Sequence, residues 1–265
     1  MASDKRSDSK KIKFSIITVS YNSAKTIRDT LESIRNQDYG DIEYIIVDGG
    51  STDGTLDIIA EYQDIVTKMV SEPDHGISDA MNKGIRMATG DIIGIIHSDD
   101  MLHENALRRI EEVYDESIDV YYGDCLVCDE SGRKMHILTA KSDLSDMPYS
   151  FGMIHPSTFI TRKAYEKWGL YSTSHKYAMD YELLLRFYKK QAVMKYINAA
   201  LAVYRIGGTN QIYRKKTIME VRNISIHYGS NPVKAEMLRL EKMLKDCLRP
   251  LLRGVKSRRV KKLQE

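Results

Sequence analysis

Over its first half the chain alternates five apolar, β-branched runs with stretches of helical periodicity, and that alternation narrows its possible folds more than any other feature. The runs are KFSIITVSY (13–21), IEYIIVDGG (42–50), IVTKMVSE (65–72), GDIIGIIHSDD (90–100) and IDVYYGDC (118–125). Helical segments follow the first four: SAKTIRDTLESIRNQ, with Ile27, Leu31 and Ile34 on one side, then STDGTLDIIAEY, ISDAMNKGIRMA and ENALRRIEEVYDE. Strands alternating with helices predict an α/β fold, a mostly parallel sheet flanked by helices on both faces. In such sheets ligands sit outside the carboxyl ends of the strands. Polar residues gather at those ends: Thr18–Asn22 after the first run, Asp48, Gly49 and Gly50 after the second, and His97–Asp100 after the fourth. Three polar clusters are therefore expected along one edge.

Beyond residue 125 the pattern loosens. A mixed Pro, Gly, Ser and Tyr stretch leads to a helix at MDYELLLRFYKKQ, and AVMKYINAALAVYRIGGTN reads as two short strands and a turn. From Ile212 the chain reads as helical, with Met237, Leu240, Met243, Leu244 and Leu248 on one face and Pro250 expected to interrupt it. There is no internal repeat and no low-complexity tract.

The net charge of +3 conceals an asymmetry. Residues 233–265 hold eleven Lys/Arg against four Asp/Glu, a net of +7; residues 1–13 hold five against two, a net of +3; the middle is left at −7. An acidic body with a basic tail predicts a body that handles cations and a tail that meets anions, and argues against nucleic-acid binding spread over the whole protein. No apolar run approaches the roughly 18 residues that would span a bilayer. The opening MASDKRSDSKKIK lacks the apolar core of a signal peptide, and three cysteines fit a reducing compartment, so a cytoplasmic location is expected. Cys125 and Cys128 form a C-x-x-C with neither a second pair nor a helix to open, which reads as ordinary strand cysteines.

Asp99 and Asp100 pose the main chemical question, because ionised carboxylates are costly to bury unpaired. At a strand end they suit a hard divalent cation whose remaining positions are filled by phosphate oxygens; the plainer alternative is a solvated turn capping the next helix. Asp48 ends a buried strand where its carboxylate can accept a nucleobase N–H, or simply shape a turn capped by Ser51, Thr52 or Asp53. The chain has neither G-x-G-x-x-G nor a P-loop signature. Asp180 is either a helix cap or a proton acceptor, His155 either structural or a substrate contact, and Trp168 with the tyrosines of 165–181 either packing or an acceptor platform.

Taken in order, SIITVSYN, VDGGSTDGT, EPDHGISDAMNKGIRMATGDIIGIIHSDD and HPSTFITRKAYEKWG…MDYELLLRF resemble the family 2 glycosyltransferases of the GT-A fold, over about residues 14–209. The resemblance implies a GT-A (Rossmann-like) domain at 14–210, with a nucleotide-binding half (14–124) and an acceptor-binding half (125–210). A polar tail (1–13) would precede it and a basic amphipathic helical extension (211–265) would follow. It implies that Thr18, Ser20 and Tyr21 cup the base, that Asp48 binds it, and that Gly76, Asp79 and Lys83 lie near base and ribose. It further implies that Asp99 meets ribose or metal, that Asp100 holds Mn²⁺ or Mg²⁺, and that Asp180 is the catalytic base. His155 and Arg205 would contact substrate, Arg205 from a segment that closes over the donor. Two departures stand out: His97 occupies the first place of the acidic motif, and Met179 replaces the usual Glu before Asp180. The implied activity is inverting transfer of a hexose or N-acetylhexosamine from a UDP-sugar to a lipid-diphosphate-linked saccharide for O-antigen, capsule or another surface polysaccharide. The basic tail would lie on an anionic cytoplasmic membrane face. Rival readings are a silent nucleotide-binding scaffold and a sugar-nucleotide nucleotidyltransferase; SYNSAKT after the first strand lacks the Gly-rich phosphate loop the latter needs.

Overall fold

The computed structural model describes residues 11–207 and 213–261, the stretch 248–261 as backbone alone. The first ten residues of the polar tail, the GGTN turn from Gly208 and the side chain of Leu248 lie outside the described residues.

The alternating half builds β1 (Phe14–Ser20), α1 (Ile27–Arg35), β2 (Ile42–Asp48), α2 (Thr55–Ala60), β3 (Val66–Ser71), α3 (Ile77–Met87) and β4 (Ile92–Ile95). β1 pairs in parallel with both β2 and β4, and every one of its residues is buried. Its two faces serve different cores. Phe14 and Ile16 pack with Ile27 and Leu31 of α1, whereas Ile17 and Val19 pack with Met81 and Ile85 of α3. A strand covered on both faces has no polar side to show, which is why the runs of β1, β2 and β4 are almost continuously apolar, while the edge strand β3 alternates half-buried and exposed residues.

The second half inserts itself into this sheet. After a short β5 (Met101–Leu102) and α4 (Ala106–Glu111) come β6 (Val120–Cys128), β7 (Lys134–Leu138), β8 (Thr158–Thr161), α5 (Arg162–Trp168), α6 (Met179–Lys189) and β9 (Met194–Arg205). The strand order is β3-β2-β1-β4-β8-β6-β9-β5, with β7 on β6. β8 is antiparallel to β4 and β6, so β6 and β9 run in the direction of β1 to β4; six of the nine strands point one way. Then α7 (Arg214–His227) buries Ile218 and Ile224, and α8 (Pro232–Lys261) packs on α7.

Several local expectations need correction. The run 90–100 is a strand only at Ile92–Ile95, after which the chain turns sharply. The segment expected as two strands is the single strand β9, bent where its register shifts opposite Gly123 and Asp124. β7, β8 and α5 were not foreseen: β7 is exposed along its whole length, and the other two are too short to show a period. Helix α8 continues through Pro250, which costs one backbone hydrogen bond in a 30-residue helix rather than ending it. Cys125 and Cys128 are buried, unbridged residues of β6.

Candidate active site

The parallel register sets Ser20 beside Asp48, so the ends of β1 and β2 meet. Asp48 is fully buried and accepts five hydrogen bonds: from Ser20 Oγ (2.9 Å), Ser51 Oγ (2.5 Å), Ser51 N (2.8 Å), Gly50 N (3.0 Å) and Ser71 Oγ (2.8 Å). Burial pushes its carboxyl upward, but the hydrogen bonds from Ser51, Ser71 and Ser20 outweigh it and hold the group below the ordinary carboxylate range. Both oxygens are saturated, so a base could bond Asp48 only by displacing one of these donors. Thr18 is also fully buried and accepts the Tyr44 hydroxyl at 2.9 Å inside the core, which removes it from any base-contacting surface. Tyr21 is the opposite case: 65% exposed, with its ring against Gly49. A Cβ at Gly49 would lie 2.7 Å from Asp74 Oδ2 and 3.3 Å from Tyr21, so any larger residue there would have to push the Asp74 side chain aside. Asp74 thus stands opposite Tyr21 at this edge, a residue that sequence reasoning did not single out.

Asp74 also accepts the Gly76 N–H at 2.7 Å, in a turn that delivers the chain into α3. Gly76 has φ +107°, a conformation that disfavours residues with a Cβ. Asp79 accepts the His75 N–H at 3.2 Å, and Lys83 bridges Glu72 (2.8 Å) and Asp79 (3.5 Å). Lys83 is therefore occupied in tying this turn to α3.

At the end of β4, the Asp100 N–H bonds the His97 carbonyl (3.0 Å) and Thr30 donates to the Asp100 carbonyl (2.6 Å). The Asp100 carboxyl is buried and accepts one bond, from the Arg205 N–H at 3.1 Å. Burial, then the neighbouring Asp99 charge, drive it well above the ordinary carboxylate range. No donor among the described residues reaches the Asp99 carboxylate. This pair is what a cation with phosphate oxygens in its other positions requires: one expensive buried carboxyl with free acceptor capacity and a second beside it. Among the described residues no group of three or more His, Cys, Asp or Glu side chains could hold a metal ion, so a cation at Asp99 and Asp100 would take its other ligands from elsewhere, as phosphate oxygens or water can supply.

Arg205 is not free to reach a substrate. It is buried, pairing with Asp29 of α1 (2.5 Å) and donating to the carbonyls of Asp99 (3.2 Å) and Glu130 (2.9 Å). Its guanidinium, with the backbone bond to Asp100, pins the acidic turn between α1 and β9, so a substrate contact from Arg205 would have to replace one of these bonds.

The His97 ring stacks on His155 at 4.8 Å and 9°, and His97 Nδ1 is buried without a partner among the described residues. Burial lowers both imidazoles, His155 to about 3 with help from His97, so the pair is uncharged at neutral pH. His155 Nε2 is engaged by the Tyr171 hydroxyl at 3.2 Å, which makes this histidine part of the wall rather than a free contact. Asn82 of α3 pins Tyr171 by two bonds to its backbone, 2.8 and 2.9 Å.

That wall leads to Asp180. α6 starts at Met179 with Ala178 at the cap position, so Asp180 is not the cap. Its carboxylate takes the Tyr181 N–H at 2.8 Å, and no side chain among the described residues donates to it. Burial raises it to about 6, Glu220 adding to the rise, and its charge is felt by the Tyr171 hydroxyl. Capping comes instead from Glu220 on α7, which accepts the N–H groups of Lys176 (3.0 Å), Tyr177 (2.7 Å) and Ala178 (2.8 Å). Glu220 too was invisible in the sequence. Of the aromatic residues, Tyr165, Tyr171 and Tyr181 are buried packing, and Trp168 lies against Phe187 at 5.2 Å.

A nearly unbonded acidic pair on one side of a neutral wall, and a half-buried carboxylate with raised pKa on the other, suit transfer of a group from an anionic donor to an acceptor hydroxyl. The comparisons agree with that class. The family model for glycosyl transferase family 2 matches residues 15–186, and the chain belongs to that family. The PGL/p-HBAD biosynthesis glycosyltransferase of Mycobacterium bovis is 29% identical over 224 residues, covering 82% of this chain and 86% of its own. Among solved structures, S. aureus TarS 1–349 in complex with UDP-GlcNAc aligns with a TM-score of 0.63 at 18% identity, over 87% of this chain and 71% of its own. The mannosyltransferase PcManGT from Pyrobaculum calidifontis, in complex with GDP-Man and Mn²⁺, gives 0.65 at 20%, over 88% and 70%. At these identities the structural likeness establishes the fold: a curled, mostly parallel GT-A sheet flanked by helices.

Proposed function

We propose that this glycosyltransferase is an inverting hexosyltransferase. It would move a hexose or N-acetylhexosamine from a UDP-sugar to a lipid-diphosphate-linked saccharide in bacterial surface polysaccharide biosynthesis. The observation that carries the reading is the state of Asp180: a carboxylate raised to about 6 by burial, with no side-chain donor among the described residues, at the head of a helix and near enough to the Tyr171 hydroxyl for its charge to be felt there. A base of that pKa is ionised at neutral pH and still basic enough to accept a proton. The acceptor hydroxyl oxygen bonds to the anomeric carbon and its proton passes to an Asp180 oxygen. The bond from that carbon to the diphosphate breaks on the opposite face, its electron pair leaving with the nucleotide. One displacement inverts the anomeric centre. Asp99 and Asp100 would hold Mn²⁺ or Mg²⁺, which when bound neutralises charge on the departing diphosphate. Tyr21 and Asp74 flank the place where the base would sit, on a scaffold that Asp48 and Ser20 stiffen.

The lipid-linked acceptor draws support from α8. Ala235, Leu238, Arg239 and Lys242 face α7, while Val233, Met237, Leu240 and Leu244 are exposed on the opposite side, between 53% and 69%. The apolar face therefore does not pack back on the body. Followed by the basic residues of 249–262, it suits an anionic bilayer surface. No helix among the described residues is long and apolar enough to cross a membrane.

The test is a thermal-shift panel of UDP, GDP, dTDP and CDP, with and without Mn²⁺, on the wild type and on Asp180→Asn. A ligand at about 100 times its Kd stabilises by roughly 2.7 kcal/mol. A shift with UDP that grows with Mn²⁺ and survives in Asp180→Asn, beside loss of transfer, is the expected outcome. Preference for another nucleotide would refute the donor, and retained transfer would refute the base.

A further inference from the structure

The family match stops at residue 186, yet the segment ahead of Asp180 is held from outside it. One face of α7 and the residue before it, formed by Tyr213, Lys216 and Glu220, lies against the loop 176–178. Tyr213 and Tyr177 meet at 5.2 Å between ring centres. Lys216 Nζ sits 5.4 Å from the Tyr177 ring and 5.1 Å from the Tyr213 ring, and reaches the Tyr177 hydroxyl at 3.3 Å. Glu220 takes three successive N–H groups, one oxygen serving Lys176 and the other serving both Tyr177 and Ala178. α7 is itself anchored, with Ile218 and Ile224 buried and Ser225 donating to the Pro148 carbonyl.

We propose that Glu220 is a positioning residue for the transfer reaction, clasping the loop 176–178 so that Asp180 is presented at the head of α6. The inference rests on the reading of Asp180 as the base. The reasoning is geometric first: three N–H groups just ahead of a helix have no partner within that helix, and a single carboxylate from another helix satisfies them all. Electrostatics follows. Both carboxylates share the positive end of α6, and the Glu220 charge favours the proton-bound form of its neighbour. Besides Glu220, the groups meeting Asp180 are the Tyr171 hydroxyl and the backbone N–H groups of Asp180 and Tyr181; Lys216 stays on the tyrosine rings. α7 also carries α8, so the loop beside the base is joined to the helix with the exposed apolar face.

The test uses the full chain and needs no acceptor. Carboxyl ¹³C titration, with the Asp180 signal assigned through Asp180→Asn, is measured in the wild type and in Glu220→Gln. Amide exchange at residues 176–178 is measured in the wild type and in Glu220→Ala. Gln keeps one acceptor oxygen for two of the N–H groups and loses the charge. Because burial is the main cause of the rise and Glu220 the smallest, the Asp180 midpoint should fall slightly but measurably in Glu220→Gln, and the three amides should exchange about tenfold faster or more in Glu220→Ala. An unmoved midpoint with unchanged protection overturns the clasp even if Asp180→Asn is inactive. An Asp180→Asn variant that still transfers overturns the base assignment and the proposal with it. If Glu220→Ala does not fold, amide exchange at 176–178 in Glu220→Gln decides: faster exchange supports the clasp and unchanged protection overturns it.

Discussion

The strands on either side of β1 treat the carboxylates that follow them in opposite ways. At the end of β2, Asp48 is buried under five donors and held below its ordinary range; at the end of β4, Asp100 is equally buried with one donor and driven above it. Asp180, across the wall, belongs with Asp100. A saturated buried carboxylate builds structure, and one left unsatisfied stores a demand for a ligand or a proton. On the proposed function, the difference divides these acidic residues into a scaffold (Asp48) and a reactive set (Asp99, Asp100 and Asp180).

The comparison can be broken at either side. Removing the reactive carboxylate has the largest expected effect: Asp180→Asn should lower transfer by about 10²–10⁴-fold in a steady-state assay with little change in nucleotide affinity. Asp48→Ala should act on stability instead. Three serine hydroxyls and two N–H groups lose their acceptor, a cost on the order of 3 kcal/mol in a denaturant titration. If Asp48→Ala melts like the wild type, the scaffold role is wrong. The signs of the pH dependence also differ. The lowered Asp48 contributes stability that is present above the usual carboxylate value and lost as pH falls. The raised Asp180 contributes stability present at low pH and lost as pH rises through about 6. Asp180→Asn should therefore melt higher than the wild type at pH 8, by up to about 3 kcal/mol or several degrees, and little if any higher at pH 4. Equal melting temperatures at both values would contradict the raised carboxyl. The smallest effect is expected at Lys83: Lys83→Met breaks two partly exposed ion pairs and should change stability by less than about 1 kcal/mol, and less still in high salt.

What the sequence made legible follows from range. β1, β2 and β4 announce themselves because each is buried on both faces, and the rule for parallel sheets then predicts Asp48, Asp99 and Asp100 along one edge. Local signals fail where partners are distant. Arg205 looks like a mobile substrate contact until its partner Asp29, 176 positions earlier, is seen. Thr18 looks like part of a strand-end cup until Tyr44 claims its hydroxyl. Asp180 looks like a cap because the true capping group, Glu220, lies 40 residues downstream, and the stacked pair His97 and His155 has no signature in either segment alone. β9 reads as two strands because its register shifts depend on the partner strand β6.

The most direct measurement is the pH dependence of kcat/KM for sugar transfer. With Asp180 as a base raised by burial, the rate should fall about tenfold per pH unit below about 6, reporting one protonation, and the limb should vanish from the residual activity of Asp180→Asn. A rate that stays flat between pH 7.5 and the ordinary carboxylate range, or a limb that persists in Asp180→Asn, would contradict it.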